Sequence, residues 1–372
     1  MKISIVGGGN AGCFTALYLS WYKSSHNIEV ELIHNPDVPP VTVGQGTLPG
    51  ALKILHNTTR FNWYNNKIHA TPKTGFLYED WGKVNDKVFH PFPADRMSMH
   101  FCPCELQNHI LNSGRFKVVE DDVDPKDVDA DYVFDARGTP SDITGYIKLI
   151  NPINSVILGR PKWDSMDLWT RSVATPDGWT FVIPMDPSSP SYDGAIGYLY
   201  NNEITNIEDA ENNFRELFDV EVTRHLIFDS YVTRNPVVDN RIISQGNRLF
   251  FLEPLEATAV ESYLYWSKAI LYAITNRIPL SKLSNHITEY IRRVQNFILW
   301  HYQFGSKYDT PFWEYAKSLS FVDSEFNRFL ETSINMDWDE AINIDNIDDK
   351  SLYAQWTAFS CKYWYEGMNI YK

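Results

Sequence analysis

The chain has 372 residues, room for two or three linked units at about 150 residues per domain, which excludes a single small disulfide module. Hydrophobic residues at 44% and charged residues at 22% describe a globular chain with a full core rather than a disordered tail. The 33 basic and 47 acidic side chains give a net charge of −14 with no basic patch, so neither nucleic acid nor an anionic membrane surface is an expected partner. Aromatic residues make up 15% of the chain. That suits either a large aromatic core or a pocket for an aromatic substrate.

Cys13, Cys102, Cys104 and Cys361 lack the paired spacing of a disulfide framework or a zinc site and read as reduced thiols. The start, Met1 to Val6 running into glycines, lacks the pattern of a signal peptide. No segment approaches the roughly 18 consecutive apolar residues of a membrane span. A cytoplasmic location is therefore expected, which makes the sequon Asn57-Thr58-Thr59 a chance match.

In chain order, residues 3–6 form a short apolar strand, Gly7 to Gly12 a glycine turn, Phe14 to Leu19 a helix, and Ile28 to Ile33 a second strand. This is a βαβ start with a G-x-G-x-x-G fingerprint. Gly7 permits the turn, Gly9 lets backbone approach a pyrophosphate, Gly12 allows helix to pack on strand, and the pyrophosphate sits at the helix N-terminus. The acidic residue that would hold a ribose hydroxyl is missing. The second strand ends in His34-Asn35, either of which could supply that contact, while Glu29 and Glu31 lie inside it.

Thr71 to Trp81 reads as one strand whose alternation puts Lys73, Gly75, Leu77 and Trp81 on one face. A lysine beside a glycine there suits the approach of a ligand; the residues alone favour a strand-end lysine reaching to water. Asp131 to Gly138 reads as a buried strand ending in a glycine turn at the far side of the dinucleotide fold. Residues 73–81 and 179–184 suggest a second, interleaved sheet. Trp179 and Phe181 share a face, a spacing more common in cores than in sites.

Further on, Leu249 to Leu252 run into a proline-bearing turn, and Thr258 with Glu261 forms a capping box. The helix that follows lines up Val260, Tyr263, Leu264, Ile270, Leu271 and Ile274, with Pro279 past its end. Its first turn offers free N–H groups near Thr258 and Ala259 to a small anion. Glu256 just before it would ordinarily complement the helix dipole. Phe297 to Tyr302 reads as an amphipathic helix in which His301 is a structural histidine, followed by the aromatic anchor Asp309 to Trp313. The Asp- and Asn-rich stretch 337–349 reads as a solvated loop. One glycine fingerprint allows one nucleotide cofactor.

Together these segments resemble the flavin-dependent halogenase family, in the branch typified by tryptophan halogenases. Ile5 to Gly12 is similar to its FAD fingerprint and Val43-Gly44-Gln45-Gly46-Thr47-Leu48-Pro49 to its flavin-contacting turn. The Lys73 segment ending in Trp81, the run Glu253-Pro254-Leu255-Glu256-Ala257-Thr258 and the stretch Phe297 to Trp313 resemble three further motifs, all in the family's order.

The resemblance implies an α/β fold of the glutathione reductase/p-hydroxybenzoate hydroxylase type. A Rossmann-like FAD domain would take residues 1–60, 118–150 and 235–275, an interleaved sheet and substrate region 61–117 and 151–234, and a helical region 276–372. FAD would be held by Gly7, Gly9, Asn10, Ala11, Gly12, His34, Val43, Gln45, Gly46 and Thr47. A separate reductase would supply FADH2, oxygen would form a flavin hydroperoxide, and a chloride, bromide or iodide held at Thr258 and Ala259 would be oxidised to hypohalous acid. That oxidant would travel through a tunnel to Lys73, where burial makes a neutral amine accessible. Glu256 would assist halogenation of an electron-rich aromatic small molecule by stabilising the cation or removing its proton.

Trp179 and Phe181 would separate flavin from substrate, Phe181 standing where the family has a second tryptophan. Gln45 replaces the family's glutamate and His34 its ribose acid, and the segment before Glu253 is shortened. A chain shorter than full-length tryptophan halogenases suggests an open or broad substrate site. A homo-oligomer is left open. The rival readings are a flavin monooxygenase, which needs no distant lysine, and a degenerate flavin-binding protein.

Overall fold

A computed structural model describes residues 1–93, 96–342 and 352–368. The first sheet has six strands in the order Val237–Val238, Ile242–Ser244, Tyr132–Asp135, Lys2–Val6, Glu29–His34 and Lys117–Glu120. All its pairings are parallel except the outer hairpin. Parallel strands are covered on both faces and so read as near-continuous apolar runs, as in Ile3, Ile5 and Val6. The helix Asn10–Trp21 covers one face and is buried from Ala11 to Ser20.

The strand Tyr132–Asp135 pairs directly with Lys2–Val6, so its place is beside the first strand and not at the far side expected from sequence. Its carbonyl end therefore meets the glycine turn, where Ala136 N–H donates to the Val6 carbonyl at 2.8 Å.

A second sheet has seven strands in the order Val220–Ile227, Ser155–Pro161, Ile196–Tyr200, Gly178–Val182, Thr170–Thr175, Gly75–Glu79 and Lys87–Pro91. The stretch read as one strand from residue 71 to 81 is divided between sheets. Thr71–Lys73 pairs with Ser98–Phe101 in a three-stranded sheet, whereas Gly75–Glu79 joins the large one. Thr74 makes the break, because its backbone bonds Leu168 and Phe92 instead of continuing either ladder. The single shared face expected for Lys73, Gly75, Leu77 and Trp81 is thereby lost, and the lysine lies against Phe76.

From residue 258 the chain is mainly helical: Thr258–Thr275, Ser284–Gln303, Pro311–Ser318, Ser324–Asn335, Trp338–Ile342 and Ala358–Met368. All six stripe residues of the first of these helices are buried. The loop expected over 337–349 is helical at Trp338–Ile342, and the part from residue 343 on lies outside the described residues. A short hairpin, Leu352–Tyr353 with Trp356–Thr357, leads into the last helix. Among the described residues no helix is long and apolar enough to cross a membrane.

Candidate active site

At the glycine turn, Gly7 holds a φ of +121°, and a Cβ there would meet the Ala136 carbonyl oxygen at 2.3 Å. A Cβ on Gly12 would fall 1.9 Å from the Gly7 oxygen. Both positions need glycine for the chain to close on itself. Gly9 differs, since a Cβ there meets nothing within 4 Å. It is the N-cap of Asn10–Trp21, and no side chain caps the helix, so the first N–H groups open onto a cradle that suits a pyrophosphate.

Asn10 donates to Gln45 at 2.7 Å and accepts from Gln107 at 3.0 Å, which ties the helix start to the 43–47 turn. Gly44 N–H bonds the Gly194 carbonyl, and the Thr47 hydroxyl meets that of Ser98 at 2.6 Å. His34 flanks Gly8, and Val43 is half-buried beside Gly194. Ala11 is buried against Gly246, where a further Cβ would be only 2.5 Å away, so it serves packing. The residues present fit a dinucleotide.

One strand joins this turn to the lysine. Ser98–Phe101 pairs His100 with Gly46 on one side and Ser98 with Lys73 on the other. In consequence a Cβ on Gly46 would lie 3.2 Å from Lys73 Nζ. Lys73 is fully buried, its Nζ has no hydrogen-bond partner among the described residues, and it stands 3.6 Å from the Phe76 ring centre and 5.7 Å from that of Phe92. The sequence preference for a lysine reaching to water is overturned. Burial pushes its pKa down to about 7, the charge of Glu256 working in the opposite direction.

Glu256 and Ala257 both adopt left-handed backbone, with φ of 67° and 53°. This kink takes the place of the capping box: Ala257 is the N-cap, and no side chain caps the N–H groups at the start of Thr258–Thr275. Thr258 is buried and Ala259 exposed at that uncapped start. The kink turns the Glu256 carboxylate inward, where it is 3% exposed. Tyr78 O–H and Trp364 Nε1–H, the latter at 3.3 Å, donate to Oε1, and Trp356 Nε1–H donates to Oε2 at 3.0 Å. His301 Nε2 also lies 3.3 Å from Oε1.

Beneath this cage, Glu253 accepts from Trp179 Nε1–H at 2.8 Å and from Tyr302 O–H at 2.7 Å. Burial pushes the Glu253 carboxyl up to about 7. Trp179 and Phe181 pack edge to face, their centroids 6.4 Å apart.

Sequence reading singled out Lys73 and Glu256 but not what surrounds them. Tyr78 sat unremarked inside the lysine segment. Trp356 and Trp364 lie outside every motif and reach Glu256 only because the final hairpin and helix fold back. His90 was also missed: it is buried, neither ring nitrogen has a partner, and its ring faces Phe359 and Tyr363. Burial pushes its pKa down to about 3. The pairing of His90 with Phe76 across two strands is invisible to local pattern.

Fold and site together define an α/β dinucleotide-binding protein with a buried lysine set between the cofactor turn and a caged carboxylate. The tryptophan halogenase family matches residues 2–121 and 124–341. The chain belongs to that family, whose members are flavin-dependent enzymes. It is 27% identical over 201 residues to tryptophan 7-halogenase RebH of Lentzea aerocolonigenes, covering 51% of this chain and 36% of the relative. Against tryptophan 6-halogenase ThaL of Streptomyces albogriseolus, identity is 24% over 216 residues, covering 55% and 38%. The matches thus span little more than a third of these relatives' lengths.

Among solved structures, the lanthipeptide tryptophan 5-halogenase MibH superposes with a TM-score of 0.80 at 16% identity, covering 99% of this chain and 86% of the other. A tryptophan halogenase from Shewanella frigidimarina gives 0.74 at 18%, covering 99% and 88%. These likenesses establish the fold.

Proposed function

We propose that the chain is an FADH2-dependent halogenase that passes an electrophilic halogen from hypohalous acid, by way of Lys73, to an electron-rich aromatic small molecule. The observation that carries this reading is Lys73 itself, a wholly buried amine without a partner, held beside Gly46 by a shared strand. Family membership supports halogenation as the reaction class.

Gly7, Gly9, Asn10, Gly12, His34, Val43, Gln45, Gly46 and Thr47 would hold FAD, with Ala11 packing behind them. Reduced FAD, delivered by a separate reductase, supplies with oxygen the two-electron oxidation of halide. The uncapped N–H groups at Thr258 and Ala259 would hold the halide, since a helix start without a side-chain cap favours an anion. Trp179, fixed by Glu253, and Phe181 form the aromatic wall between cofactor and substrate. Lys73 presents a neutral amine near pH 7, able to hydrogen-bond hypohalous acid or take up its halogen. The Glu256 carboxylate stabilises the cationic ring and receives its proton. In domain terms, segments 1–60, 118–150 and 235–275 hold the cofactor, 61–117 and 151–234 the interleaved region, and 276–372 the helical cover.

The test is incubation of the protein with FAD, a flavin reductase, NADH, oxygen and bromide in the presence of an indole or phenol. Mass spectrometry should show a monobrominated product. A hydroxylated product instead would favour the monooxygenase reading.

A further inference from the structure

We infer that His301 is an imidazolium that serves as the counter-charge of Glu256, a positioning residue that frees Lys73 from pairing with that carboxylate. The inference rests on the halogenase reading for its consequence, but not for its geometry. His301 lies on Ser284–Gln303, is 0% exposed, and has Nδ1 2.7 Å from the Phe297 carbonyl. A carbonyl oxygen only accepts, so Nδ1 carries a hydrogen. The other nitrogen, Nε2, lies 3.3 Å from Glu256 Oε1.

That carboxylate already accepts from Trp364 on Oε1 and Trp356 on Oε2, whose indole N–H groups only donate, and from Tyr78 on Oε1. Donors on both oxygens match a carboxylate that only accepts. An ionised carboxylate cannot donate, so the contact is made by a hydrogen on Nε2, and both ring nitrogens are protonated.

The groups facing His301 allow this charge. Tyr78 comes from Gly75–Glu79, its ring 5.9 Å away, and Trp364 from the last helix at 4.0 Å, both neutral donors to Glu256. Phe297 and Trp300 flank it on its own helix. His90, on Lys87–Pro91, and Lys73 are the other basic groups nearby, and burial disfavours their charged forms. One buried negative charge therefore has one dedicated positive partner. Lys73, which makes no hydrogen bond to Glu256, is left as an amine whose lone pair is available to the halogen.

The step balances within the pair. When the halogenated ring loses its C–H proton, the bonding electrons return to the ring and the proton goes to Oε2, where Trp356 is the single donor among the described residues. The pair then carries one net positive charge until that proton leaves.

The experiment uses protein labelled with ¹⁵N-histidine, without FAD. The His301 signal, assigned by its loss in His301→Gln, should show a hydrogen on both ring nitrogens at about pH 7.5, and Glu256→Gln should remove the one on Nε2. A His301 ring with a single hydrogen, unaltered by Glu256→Gln, would overturn the proposal. That arm needs no halogenation, and should His301→Gln fail to fold, through-space contacts of the His301 ring to Phe297 and Trp364 assign the signal. In the enzymatic arm, His301→Gln keeps a neutral donor to Oε1 but removes the charge. The acid limb of halogenation should move up by about one pH unit as Glu256 holds a proton on Lys73. An unmoved limb would contradict the counter-charge role. Normal halogenation by Lys73→Ala would sink the lysine assignment while leaving the histidine result intact.

Discussion

Lys73 and Glu253 are both buried ionisable groups carrying an atom without a partner, and they tilt stability with pH in opposite senses. Between about 7 and the ordinary 10.5, Lys73 is neutral in the folded chain and protonated in the unfolded one, so its contribution to stability rises with pH through that window. Lys73→Met should abolish that slope and stabilise the protein by about 1–3 kcal/mol at neutral pH, by removing an amine that burial leaves unsatisfied. Thermal denaturation across the window checks this. Glu253 keeps its proton when folded between 4.5 and about 7, where the unfolded chain releases it, so stability falls as pH rises. Glu253→Gln retains acceptors for Trp179 and Tyr302 and should raise the melting temperature above that window but not below it. At this scale sequence motifs marked Lys73 and Glu256 as chemical residues. What they could not carry was the environment, because the donors on Glu256 come from positions as far apart as Tyr78 and Trp364.

At the scale of elements, the glycine turn was legible because its requirements are local. A Cβ on Gly12 has no room, and Gly12→Ala should prevent the helix from seating. Gly9→Ala meets no atom and should leave folding intact, while filling the cradle and lowering FAD affinity at least about tenfold, a loss of about 1.4 kcal/mol read by fluorescence titration. The split at Thr74 was not legible, since alternation continues across it and only the partners of its backbone, Leu168 and Phe92, reveal two sheets. The capping box failed for a related reason. Thr258 and Glu261 have the right spacing, but the left-handed residues before them rotate the helix start. Glu261 is half-buried instead, its carboxylate filling the space over Gly50.

For the whole molecule, the hairpin Leu352–Tyr353 with Trp356–Thr357 and the helix Ala358–Met368 fold back on the site, bringing Trp356 and Trp364 to Glu256. Composition announced the aromatic excess without assigning it. Tertiary placement shows that some of those rings are polar anchors, the indole N–H groups of Trp356 and Trp364 holding the buried Glu256 carboxylate. Trp356→Phe keeps most of the ring's bulk and removes one donor. It should lower the halogenation rate roughly tenfold with a small loss of stability, about 1 kcal/mol by calorimetry.

The wider arrangement is a relay of proximities: glycine turn to 43–47 turn through Asn10, that turn to Lys73 through one strand, and Lys73 towards the caged Glu256. In the proposed reaction the lysine carries the halogen. The most direct measurement compares the protein with Lys73→Ala under FAD, reductase, oxygen and bromide, following both oxidation of reduced flavin and brominated product. Undiminished flavin oxidation with no brominated aromatic is the predicted result for Lys73→Ala. Bromination by that variant at the rate of the unsubstituted protein would contradict the account.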